Sequence, residues 1–201
     1  MFSAMAVSAV GLAPAAAAAP GDDSLASVLT AEPAAFDGEA SDYDVLTAAV
    51  LAVLEAKPDS KVTVLTDGAA ALTAFLPTDG AFANLVDSLT GTSPETEQAT
   101  FDAVAGLGID TVETVLLYHV VPGAAVDAAA VLDSDGAALK TAAGPQVTVA
   151  VRSDTNIALI DKDPNARNAR VILEQTDINK GKKQLAHGVD RVLRPADLPA
   201  A

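Results

Sequence analysis

The chain has 201 residues, of which 50% are hydrophobic, so it is long and apolar enough to bury one domain core and to carry a short leader. It has no cysteine, which excludes disulfide bonds, thiolate metal sites and a cysteine nucleophile. Its formal net charge of −15 opposes binding to nucleic acid and to anionic membrane surfaces, because both are themselves negatively charged.

The charge is distributed unevenly along the chain. Residues 1–150 carry 3 basic and 20 acidic side chains, whereas residues 151–201 carry 9 basic and 7 acidic ones. The interpretation that we favour is an acidic surface that keeps the protein in solution. The alternative is a mildly basic face in the C-terminal part, which would suit an acidic partner.

The N-terminus has the composition of a secretory leader. An apolar, alanine-rich run from Phe2 to Ala19 changes abruptly at Gly21. We predict a signal peptide over residues 1–21 and a single domain over residues 22–201. No Lys or Arg precedes the run, so we leave open whether the true start lies upstream of Met1. A structured N-terminal helix is the alternative, but Pro14 and Pro20 interrupt it.

The two ends together predict an extracellular protein. The N-terminal run is too short and too rich in alanine for a membrane anchor, so we expect no stable membrane span in the mature chain. No apolar or basic tail follows Leu198. We therefore expect release into the medium or loose association with the cell wall.

The first half of the chain is predicted to be mainly helical. Apolar residues recur at helical spacing in five segments, which are residues 24–29, 41–58, 82–89, 97–107 and 110–119. Between the second and third segments, residues 61–65 alternate as a strand does. Asp67-Gly68 then predicts a hairpin turn to a strand over residues 72–76.

The second half is predicted to consist of short antiparallel strands. Segments rich in β-branched residues are separated by Gly, Pro, Asn or Asp, and they cover residues 137–141, 146–152, 156–161, 170–175 and 189–193. Helices followed by strands, without alternation between them, indicate an α+β domain.

Three separated segments resemble the fasciclin domain family, in its secreted bacterial type. Residues 73–82 read TAFLPTDGAF and are similar to the first motif of the family, a strand that ends in Pro-Thr-Asn/Asp. Residues 116–123 read LLYHVVPG and resemble its Tyr-His segment, and residues 187–195 read HGVDRVLRP and resemble its second long motif. Gly188 departs from that motif, which usually has an apolar residue there.

The resemblance implies a fasciclin-like, wedge-shaped β-sandwich with several helices in the N-terminal half. It also implies cell adhesion or protein interaction without catalytic activity or a cofactor. The partners to expect are a cell-surface or matrix protein, a polysaccharide or a second copy of the chain. An extracellular hydrolase that uses a Ser/His arrangement remains the alternative, although the chain has no G-x-S-x-G sequence.

Six residues are candidates for an interaction or structural role. They are Thr78, Asp79, Tyr118, His119, His187 and Asp190. The resemblance associates Tyr118 and His119 with adhesion. Because His119 lies on the apolar face of its predicted helix, we expect instead that it is buried and bonds to the Thr78-Asp79 turn.

No metal site is predicted. Two histidines and no cysteine are too few for a zinc site. Residues 161–165 resemble the start of a calcium loop, but Ala166 occupies its glycine position and Ile172 its glutamate position. We interpret this segment as a polar turn.

Overall fold

The structure of the protein is a computed structural model that describes residues 24–31 and 35–197. The predicted signal peptide over residues 1–21 lies outside these residues. Within them there is no helix with the length and apolar character that crossing a membrane requires.

The helices lie mainly in the first half of the chain, as predicted. They are α1 Leu25–Leu29, α2 Asp44–Ala56, α3 Asp79–Thr90, α4 Glu97–Ala105, α5 Ile109–Tyr118 and α6 Ala128–Leu132. Four of them begin after a capping side chain that accepts a hydrogen bond from a backbone N–H of the first turn. The caps are Ser24, Thr78, Thr96 and Asp127.

The strands form two sheets. They are β1 Leu72–Pro77, β2 Val120–Pro122, β3 Ala138–Lys140, β4 Gln146–Ser153, β5 Asn156–Ile160, β6 Ala169–Arg170 and β7 Gln184–Val189. The order in the first sheet is β2-β1-β7, with β1 antiparallel to β2 and parallel to β7. The second sheet is antiparallel, with the order β3-β4-β5-β6.

The first sheet lies between two hydrophobic cores. Leu72, Ala74 and Leu76 of β1 pack with residues of the helices, whereas Phe75 packs with residues of the second sheet. Successive side chains of a strand point to opposite faces, so helices cover one face of β1 and the second sheet covers the other. This explains why every residue of β1 and β7 is buried. The α+β class with several N-terminal helices is confirmed.

The hairpin predicted before β1 is wrong. The segment Lys61–Thr66 is a 3₁₀ helix, and Ser60 accepts a hydrogen bond from the N–H of Val62 at its start. Val62 and Leu65 are its buried residues, and a spacing of three places both on one side of a 3₁₀ helix. Apolar residues at positions 62 and 65 fit this helix better than strand alternation does.

Two strand predictions near the C-terminus are also wrong. The last strand is Gln184–Val189 and not residues 189–193, and it pairs in parallel with β1. The strand predicted over residues 170–175 is only the two-residue β6 followed by a 3₁₀ turn at Leu173–Gln175. Because β7 is buried on both faces, it lacks the alternation that identifies a half-exposed strand.

Candidate functional site

The Tyr118-His119 segment lies at the end of α5, inside the protein. Tyr118 is 0% exposed and packs in the core between the two sheets. Its hydroxyl donates a hydrogen bond to the backbone oxygen of Gln146, at 3.1 Å, and burial raises its pKa to about 12. The hydrogen bond of the tyrosine therefore connects the end of α5 to the start of β4.

His119 is buried, as predicted, but it does not bond to the Thr78-Asp79 turn. Its Nδ1 lies 2.7 Å from the backbone oxygen of Val115, and its Nε2 accepts a hydrogen bond from the N–H of Leu193 at 2.8 Å. Burial lowers the pKa of His119 to about 4, so the ring is neutral at physiological pH. The predicted partner was wrong. The ring of His119 accepts a hydrogen bond from a backbone amide, and the pattern of side chains in a sequence does not show which backbone amide will lie near a ring.

His187 uses its ring in the same way. Its Nε2 lies 2.9 Å from the backbone oxygen of Val126, and its Nδ1 accepts a hydrogen bond from the N–H of Asp177 at 3.3 Å. Burial lowers its pKa below the usual value. Both histidines of the chain therefore have both ring nitrogens bonded to backbone groups, and neither ring has a nitrogen open to a serine hydroxyl.

Thr78 and Asp79 connect three elements. The hydroxyl of Thr78 caps α3, and its backbone N–H bonds to the oxygen of Val189 at the end of β7. The Oδ1 of Asp79 accepts a hydrogen bond from the N–H of Val45 at 3.0 Å. Asp79 thus caps the first turn of α2 from a distant part of the chain, which explains why α2 has no capping side chain of its own.

Asp79 also faces a second carboxyl group, that of Asp42. Asp79 Oδ2 and Asp42 Oδ1 are both buried, and neither has a hydrogen-bond donor among the described residues. Burial raises the pKa of Asp79 to about 7, and the charge of Asp42 adds to the rise. The pKa of Asp42 is raised as well, mainly by burial. A proton shared between the two carboxyl groups would satisfy both oxygens.

The described residues contain two groups of three carboxylates whose oxygens lie within 4.8 Å of one another. One group is Asp42, Asp79 and Glu97, and the other is Asp37, Asp42 and Asp44. Acidic groups come together in proteins without an ion, and a shared proton accounts for the buried pair. The absence of a metal site therefore stays a prediction.

Asp190 directly follows β7 and forms two hydrogen bonds to Arg170 of β6. Its Oδ1 accepts a hydrogen bond from the N–H of Arg170 at 2.7 Å, and its own N–H bonds to the oxygen of Arg170. It also lines a cavity of about 440 Å³ that four arginines share, which are Arg152, Arg167, Arg170 and Arg191. The sequence patterns did not predict this grouping, although the excess of basic residues beyond position 150 was a signal for it.

Comparison with known protein families identifies the family to which the chain belongs. The model of the fasciclin domain matches residues 46–195, so the chain belongs to the fasciclin domain family. A search of curated proteins found no match.

A solved structure agrees on the fold. The FAS1 domain pair from the insect cell adhesion molecule Fasciclin I superposes with a TM-score of 0.58 at 12% sequence identity. The match covers 86% of this chain and 51% of that one, so the chain spans about half of the domain pair.

Proposed function

We propose that this fasciclin domain is a secreted module of cell adhesion or protein interaction that has no catalytic activity. Family membership supports the adhesive part of the proposal, since fasciclin domains are known as adhesion and interaction modules. The observation that carries the non-catalytic part is the geometry of the histidines. All four ring nitrogens of His119 and His187 are bonded to backbone groups.

A hydrolase of the Ser/His type needs a neutral imidazole nitrogen that accepts the proton of the nucleophile. At His119 the nitrogen that could accept, Nε2, is occupied by the N–H of Leu193, and at His187 Nδ1 receives the N–H of Asp177. Both hydrogen bonds would have to break before either ring could act as a base. The hydrolase alternative has no observation in its favour.

Export is the second part of the proposal, and it is supported by the apolar run that ends before Gly21. Mass spectrometry of protein recovered from the culture medium should find an N-terminus between about Ala16 and Asp22, since signal peptidases cleave after small residues. A chain that retains Met1 and stays inside the cell would contradict it.

Adhesion is tested with beads that carry the purified, tagged chain. We expect the beads to adhere to the surface of the producing cells, and we expect soluble chain to compete with them, because binding to a specific partner is saturable. Beads that carry heat-unfolded chain are the control for nonspecific attachment. Adherence no greater than that of the control would contradict the proposed function.

A further inference from the structure

Four arginines come together around one cavity on the side of the second sheet. Arg152 comes from β4, Arg167 from the loop before β6, Arg170 from β6 and Arg191 from the segment after β7. The cavity that they line measures about 440 Å³. Their positions are spread over 40 residues of sequence, and only the folding of the sheet brings them together.

These four guanidinium groups are not used by the fold. Within residues 24–31 and 35–197, none of them forms an ion pair or donates a side-chain hydrogen bond. Arg194 differs, because its guanidinium is bonded to Asp163 at 3.0 Å and to the hydroxyl of Ser88, and it is buried. Arg194 therefore has a structural role, whereas the guanidinium donors of the four cavity arginines have no protein partner among the described residues.

The local charge of the cavity is opposite to that of the protein. The net charge of −15 comes from acidic residues that lie mostly before position 150, and Asp190 is the one acidic residue among those lining the cavity. At physiological ionic strength, charges separated by more than about 8 Å are largely screened. Acidic residues beyond that distance contribute little to the potential in the cavity, whose lining carries four positive charges and one negative charge.

The other polar residues that line the cavity restrict the chemical class of the ligand further. Asp190 binds the Arg170 N–H through Oδ1, and its Oδ2 has no partner in the described part of the chain. Asn168, which has an amide side chain, also lines the cavity. A carboxylate oxygen and an amide next to four guanidinium groups can receive hydroxyl groups that accompany an anion.

The lining contains no aromatic residue, and its apolar members are Ala158 and Ala166. Interfaces between proteins usually have a buried aromatic or large aliphatic anchor at their centre. This cavity offers none, which disfavours an acidic protein surface as the ligand.

We propose that the arginine-lined cavity binds a carboxylate-bearing polysaccharide, with guanidinium groups on its uronate carboxylates and Asp190 on its hydroxyl groups. Planar guanidinium groups match carboxylates through two parallel hydrogen bonds. The inference rests on the proposed function, since it identifies the class of surface partner that the secreted domain would meet.

The test is calorimetric titration of the full chain with polygalacturonate oligosaccharides. We expect saturable binding that weakens as salt is added. The variant Arg167→Gln/Arg170→Gln should lose affinity by at least about tenfold, or about 1.4 kcal/mol, because it removes two guanidinium groups that bond to the carboxylates. The matched control is Lys61→Gln/Lys140→Gln, which removes the same charge from exposed side chains that line a different cavity. It should bind within about twofold of the unmodified chain.

Three results would overturn the inference. The first is that the unmodified chain does not bind the oligosaccharide. The second is that the arginine variant and the lysine control bind it with equal affinity. The third is that poly-glutamate binds as tightly as the oligosaccharide, which would point to an acidic protein. Thermal melting of each variant checks that it is folded. If the unmodified chain binds no uronate while beads that carry it still adhere to cells, the inference fails and the proposed function stands. If the unmodified chain does not adhere, the proposed function fails.

Discussion

The buried carboxyl pair predicts that Asp79→Asn stabilises the protein at alkaline pH. In the substituted protein, the side-chain oxygen of residue 79 can still accept the hydrogen bond from the N–H of Val45. The new NH₂ group can donate to Asp42 Oδ1, which has no donor now. Asn and Asp have nearly the same shape, so the substitution fits the backbone there.

The magnitude follows from the pKa of Asp79, which burial raises from 3.8 to about 7. A rise of about three units corresponds to about 4 kcal/mol against the ionised form in the folded protein. The substitution exchanges a charged acceptor for a neutral one at the Val45 N–H, which costs about 1 kcal/mol. The free energy of unfolding should therefore rise by about 2–3 kcal/mol at pH 8.

The effect should disappear in acid. The folded protein binds more protons than the unfolded chain between pH 4 and pH 7, because the pKa of Asp79 is higher in the folded state. The stability that depends on this group therefore falls as the pH rises through that window. At about pH 4.5 Asp79 is already protonated in the fold, and Asp79→Asn should change little. Glu97, Asp44 and Asp37 add negative charge around the pair and act in the same direction.

Urea unfolding followed by circular dichroism at both pH values measures the effect. Asp59→Asn is the control, because Asp59 is exposed and its substitution removes the same formal charge. The reasoning is refuted if Asp79→Asn is no more stable than the unmodified protein at pH 8. It is refuted as well if the gain is the same at both pH values.

Three further predictions concern packing, charge and metals. A Cβ at Gly188 would lie 2.5 Å from the hydroxyl of Tyr43. Gly188→Ala should therefore lower the free energy of unfolding, measured by urea unfolding, by about 1–3 kcal/mol. An unchanged urea midpoint would contradict this. Arg194→Gln takes a guanidinium away from the buried Asp163 carboxylate and should cost about 3 kcal/mol in the same assay, whereas a loss below about 1 kcal/mol would show the ion pair to be unimportant. Calcium at about 1 mM should leave the melting temperature unchanged, and a rise of several degrees that a chelator reverses would identify a metal site.

Local patterns predicted most of the helical half correctly. Apolar periodicity acts within a few positions of the chain, so sequence alone contains it. The segment Lys61–Thr66 was misassigned because Val62 and Val64 alternate with polar residues in the sequence, whereas the residues that the fold buries are Val62 and Leu65.

The long-range features could not be predicted in this way. β7 pairs with β1 across more than half of the chain, and its uniform burial removes the alternation that identifies a strand. The partner of His119 is a backbone amide, and Asp79 caps α2 from outside that helix. Residue type gives no signal for either contact. The only sequence signal for the arginine cavity was indirect, namely the difference in charge between the two parts of the chain.

The central claim is that the domain binds through its surface while Tyr118 and His119 serve the fold. His119→Ala tests it most directly, with stability and bead adherence measured on the same preparation. The substitution leaves the buried N–H of Leu193 without its acceptor, so the free energy of unfolding should fall by about 1–3 kcal/mol. Adherence per folded molecule should be unchanged. An unchanged melting curve together with lost adherence would contradict the account and make His119 a contact residue.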